Sequence, residues 1–86
     1  MKHAGEEALD RLADLLVQIR HYSALKEKKR GIFYWKSKAF LHFHEERELL
    51  YADLQTGLGW ERFSVNTRSD WENLLTQLEA VLGKLP

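Results

Sequence analysis

Two histidines separated by one residue, His42 and His44, are the side chains in this chain whose type and spacing best suit chemistry. In an extended strand, residues two apart project from one face with Cα atoms roughly 6.5 to 7 Å apart, so both imidazoles can reach one divalent ion. Asp53 is the candidate third ligand, and Glu45 and Glu48 are further carboxylates near His44. The same residue types suit proton transfer, with His42 or His44 as general base, Asp53 orienting it and Arg62 stabilising a developing anion. Ser64 is an available hydroxyl, but no glycine-flanked serine elbow surrounds it. Asp53 and Arg62 read more simply as a cross-strand ion pair. Binding therefore ranks above catalysis; packing against Tyr51 and Phe40 with donated hydrogen bonds is the simpler role of the histidine pair, so no cofactor is expected, and a divalent metal at His42, His44 and Asp53 is the alternative.

Other motifs carry less. Gly57-Leu58-Gly59 lacks the Lys-Ser/Thr continuation of a phosphate cradle and precedes a strand rather than a helix. The basic run Lys26-Glu27-Lys28-Lys29-Arg30, with Lys36 and Lys38 nearby, could track a phosphate backbone while Phe33 and Trp35 stack bases. Cations at a helix C-terminus would look the same, and no zinc-finger, helix-turn-helix or RRM pattern accompanies the run. Nucleic acid is thus not an expected partner. Without cysteine, disulfides, thiolate metal sites and a cysteine nucleophile are all excluded.

These candidates need a sheet to hold them. Leu9, Leu12, Ala13, Leu16, Ile19 and Tyr22 recur at helical spacing, which predicts an amphipathic helix from about Glu6 to Lys29 with Gly31 as its left-handed cap. Strands are predicted over Ile32 to Trp35, Lys38 to His44, Leu49 to Gln55 and Trp60 to Val65. Their connections, at Lys36-Ser37, Glu45 to Glu48 and Thr56 to Gly59, are short enough to require antiparallel neighbours. Ser69 with Glu72 reads as a capping box opening a last helix, whose stripe is Trp71, Leu74, Leu75, Leu78, Val81 and Leu82. The expected fold is α+β: helix, four-stranded antiparallel β-meander, helix, with both helices on one face of the sheet. Its 86 residues make one domain, 1–86.

Strand alternation then divides the sheet. Tyr34 is expected opposite Ala39, Leu41 opposite Ala52 and Phe43 opposite Leu50, making with Phe63 and Val65 the face beneath the helices. The other face is expected to carry Phe33, Trp35, Phe40, His42, His44, Tyr51, Asp53, Trp60, Arg62 and Ser64. So aromatic a surface implies an interaction site, most simply a homodimer, or a small-ligand or metal site between subunits. Should a helix cross to that face, the aromatics become core.

The run Gly31-Ile-Phe-Tyr-Trp-Lys-Ser-Lys-Ala-Phe-Leu-His-Phe-His-Glu45, with Ala52-Asp-Leu54 and Glu61 to Thr67, resembles a set of short bacterial proteins without assigned function. The resemblance covers the central half of the chain and implies a small bacterial cytosolic domain, with no activity or cofactor attached. Residues 1 to 7 contain no apolar run of signal-peptide type and no segment reaches membrane-spanning length, so a cytoplasmic protein with no membrane partner is expected. Formal net charge is zero, but residues 1–38 hold nine Lys/Arg against five Asp/Glu and residues 39–86 four against eight. That balance argues against a generalised nucleic-acid field.

Overall fold

Nine elements follow one another along residues 1–86 of the computed structural model. They are β1 (Lys2–His3), α1 (Glu6–Arg11), α2 (Ala13–Arg20), β2 (Leu25–Lys29), β3 (Ile32–Trp35), β4 (Lys38–Glu46), β5 (Leu49–Gln55), β6 (Trp60–Ser64) and α3 (Arg68–Leu82). Strands β2 to β6 form an antiparallel meander in chain order, and β1 pairs with the far end of β4. The α+β class and the antiparallel sheet are as expected, but the sheet has six strands rather than four.

The long first helix is the main correction. It kinks at Leu12 and ends at Arg20, and Leu25–Lys29 is an edge strand paired with β3. Its alternation is visible afterwards: Leu25 and Glu27 are half-buried while Lys26 and Lys28 are exposed. One apolar residue in five gives no strand signal by hydropathy, and Glu27 turns toward the helices only because Arg20 and the Gly31 amide satisfy its carboxylate. Gly31 therefore serves the β2–β3 turn instead of capping a helix. Its φ of +79° is left-handed, and a Cβ there would lie 2.7 Å from Leu9 Cδ2. The lysines of β2 now mark a protected sheet edge, with Lys28 Nζ 4.5 Å above the Tyr34 ring.

One core of 16 buried apolar residues unites the helices with a single sheet face. Leu9, Leu12, Leu15, Leu16 and Ile19 come from α1, α2 and the kink between them, and Leu74 and Leu78 from α3. Phe33, Phe40, Leu41, Phe43, Leu50, Ala52 and Leu54 meet them from the sheet. α3 opens two residues earlier than expected: Thr67 is the N-cap and Asp70 completes the reciprocal capping box, rather than Ser69 with Glu72. The Trp71 indole N–H donates to the Val65 carbonyl at 2.9 Å, tying this helix to the end of β6.

Strand register explains which side chains change sides. Glu46 pairs with Leu49 across a two-residue turn in which Arg47 and Glu48 both have positive φ, the backbone that matches strand twist in a tight hairpin. Leu41 thus faces Leu54 and Phe43 faces Ala52, two residues from the expected pairing. A shift of two preserves the faces of β4 and β5. Between β3 and β4 the ladder passes from Phe33↔Leu41 to Tyr34↔Ala39, leaving Phe40 as the extra residue of a bulge. That bulge inverts the phase of β3. Phe33 and Phe40 are buried in the core and Trp35 packs against it, so these three leave the face on which they were expected.

Candidate metal centre

The open face of the sheet retains His42, His44, Tyr51, Asp53, Trp60 and Arg62 near its centre, and β1 adds His3. Strands β1 and β3 both pair with β4, His3 opposite His44 and Ile32 opposite His42, so His3 comes in beside the His42–His44 pair. The ring centroids of His3 lie 4.7 Å from His44 and 5.7 Å from His42, and those of His42 and His44 are 4.9 Å apart. One nitrogen from each of the three imidazoles lies within 4.8 Å of the other two. Tetrahedral zinc with nitrogen ligands at 2.0–2.1 Å needs nitrogens about 3.4 Å apart. To hold an ion the cluster would tighten by up to about 1.4 Å between nitrogens, and exposed His3 on its two-residue strand is the member with room to move.

The electrostatics favour neutral imidazoles. Burial, reinforced by the neighbouring histidines, pushes His42 below its ordinary pKa; burial likewise lowers His44, against the pull of Asp53. A neutral ring is what a metal requires. The Nδ1 atoms of both residues are buried and make no hydrogen bond. Asp53 Oδ2 lies 3.0 Å from His44 Nδ1 without making a hydrogen bond, and the two form an ion pair only when His44 is protonated. The orphaned nitrogens carry an unmet polar demand.

Asp53 itself is committed elsewhere. Arg62 grips it with two parallel hydrogen bonds, Nε to Oδ1 at 2.8 Å and Nη2 to Oδ2 at 2.9 Å, and these hold its carboxyl below the usual carboxylate range. The expected cross-strand pair is present, with Asp53 opposite Arg62 in the ladder. The three-imidazole group does not include Asp53, whose carboxyl lies behind His44 instead. Glu45 is also occupied, accepting from the Gly5 amide at 2.7 Å, and Ser64 donates to Asp70 at the start of α3. Glu48, the other carboxylate near the turn, is not part of the three-histidine group, and Ser64 is not a free nucleophile.

Trp60 borders the cluster, its ring centroid 4.6 Å from that of His42, while Tyr51 sits opposite His44 on β5. Sequence reasoning missed His3 because a two-residue strand has no period and its partner lies some forty residues away; only its residue type marks it. No helix is long and apolar enough to cross a membrane. Comparison with protein-family models, curated proteins and solved structures finds no match to this chain.

Proposed function

We propose that this domain binds one divalent transition-metal ion through His3, His42 and His44. The observation that carries the reading is the convergence of three imidazoles from two strands on one patch of open sheet. Three imidazoles form a donor set suited to zinc and leave a fourth position free. Asp53 acts as the carboxylate behind a ligating histidine, with Arg62 holding it in place. A bound ion would supply Lewis acidity at its fourth position, which makes hydrolysis the accessible chemistry. A bacterial, cytoplasmic setting belongs to the same proposal and rests on the cysteine-free composition and the motif resemblance alone.

The test is zinc titration of the purified chain against a chromophoric chelator, with native mass spectrometry for stoichiometry. One zinc per chain is expected. His3→Ala should weaken binding while leaving the zinc-free melting temperature within a few degrees, because exposed side chains contribute little to stability. Undiminished zinc affinity in a His3→Ala/His42→Ala double variant would sink the proposal.

A second reading keeps this face as the contact of a homodimer. Trp60 and Leu49, 47% and 49% exposed, flank the histidines on the same face as Tyr51. With Phe33, Trp35 and Phe40 withdrawn into or against the core, fewer anchors remain than the sequence implied, so the metal reading takes precedence. The same mass spectra decide: a two-copy species lost in Trp60→Ser would favour the dimer.

A further inference from the structure

At the end of the sheet away from β1, a cavity of about 320 Å³ opens to solvent between the β3–β4 hairpin and the C-terminal part of α3. Trp35, Phe40, Val81 and Leu85 give it apolar walls, and Lys38 and Gln55 supply polar groups. Lys38 is the only charged residue in the lining and forms no salt bridge or side-chain hydrogen bond. Lys36, also free of ion pairs, places its Nζ 4.8 Å from the Trp35 ring centroid and adds a second positive charge at this end. The bulge at Phe40 creates the site: by turning Phe40 and Trp35 to the helix side it builds an aromatic wall where regular pairing would have left the edge of the sheet.

From this lining we infer that the cavity is a binding site for a small amphiphilic monocarboxylate, its hydrocarbon body against Trp35, Phe40, Val81 and Leu85 and its carboxylate at Lys38. Size and charge both select that class. Pockets that take small ligands begin at about 300 Å³ and combine apolar walls with a few polar groups that fix orientation. At about 30 Å³ per water-sized atom the space holds on the order of ten heavy atoms, the size of an eight-carbon carboxylate. A cationic ligand would meet the Lys38 charge with no carboxylate in the lining to offset it, and a neutral one would forgo the attraction of that charge. The site is separate from the histidine cluster and does not depend on metal.

The experiment is an NMR titration of the ¹⁵N-labelled full chain with octanoate, 1-octanol and octylammonium, each below its aggregation concentration. Octanoate should saturate at one site and shift the Trp35 indole, Gly57 and Val81 signals. Shortening to hexanoate should weaken binding about fourfold per methylene removed, and lengthening to dodecanoate should bring no comparable gain because the cavity is full. Lys38→Glu, at an exposed position, should leave the rest of the spectrum in place, weaken octanoate at least tenfold and admit octylammonium. Octanol or octylammonium binding the unaltered chain as tightly as octanoate would overturn the inference. So would shifts that map to the histidine face, or no saturation of octanoate at 5 mM, roughly the weakest affinity such a pocket would show.

Discussion

Replacing Asp53 by Asn separates what this carboxylate does for the fold from what it does for the histidines. The amide keeps the shape but loses the charge that Arg62 holds by two hydrogen bonds and that lies 3.0 Å from His44 Nδ1. Breaking a fully buried ion pair costs about 3–5 kcal/mol. Here the Arg62 side chain is 48% exposed and can recover its hydration when the partner goes. The expected loss is therefore smaller, about 1–2 kcal/mol, in the range of a hydrogen bond to a charged group. For a domain of this size that lowers the melting temperature by roughly 5–15 °C. Zinc affinity should fall about 10- to 100-fold, the usual effect of removing the carboxylate behind a ligating histidine. The two quantities are read by thermal unfolding and by competition for zinc with a chelator. Arg62→Met is the control, since it removes the same ion pair but leaves the carboxylate beside His44; its melting temperature should drop further, because buried Asp53 is left unpaired, while zinc affinity changes less than tenfold. If Asp53→Asn melts early yet binds zinc with unchanged affinity, the carboxylate is structural alone and the assignment behind His44 is wrong.

Two further outcomes follow from the same geometry. Gly31→Ala should destabilise by about 2–4 kcal/mol, combining a left-handed non-glycine residue with a Cβ 2.7 Å from buried Leu9 Cδ2. Adding Leu9→Ala should cost less than the sum of the single changes; an unchanged melting temperature for Gly31→Ala would refute the argument. Metal-free stability should also depend on pH through His42 and His44. Burial lowers both below the unfolded value of about 6.5, so the unfolded chain binds more protons over that interval. Their contribution is complete above about pH 6.5 and is lost as pH falls through the depressed folded values. Urea midpoints at pH 7.5, 6 and 5 should decline, and His42→Gln/His44→Gln should flatten the slope. A midpoint that rises on acidification contradicts the sign.

Much of the sheet was legible because its strands are separated by unambiguous turns: β3 and β5 run over Ile32–Trp35 and Leu49–Gln55, as read from residue types alone. The last helix was equally clear from its stripe, although two overlapping capping signatures competed. Thr67 with Asp70 prevails because Asp70 also gathers the Asn66 amide and the Ser64 hydroxyl. What escaped depends on partners distant in sequence. Leu25–Lys29 pairs as a strand through β3 and through Glu27, not through its own hydropathy. The bulge at Phe40 moved three aromatics to the covered side, and nothing in Ala39-Phe40-Leu41 announces an extra residue. The site was half legible for the same reason: His42, His44, Asp53 and Arg62 do come together, while His3 arrives over a separation no local pattern records.

That arrival has a kinetic consequence. Strands β2 to β6 are linked by turns of a few residues, so their ladders can form in sequence with little closure entropy. β1 closes a loop of some forty residues for only two ladder positions, with the Ala4 amide to the Phe43 carbonyl as an adjoining hydrogen bond. So small a return on so long a closure makes β1 docking a late event. Mutations at His3 should leave the refolding rate unchanged and alter unfolding alone. The ion would then bind last, to a sheet that has already folded without it.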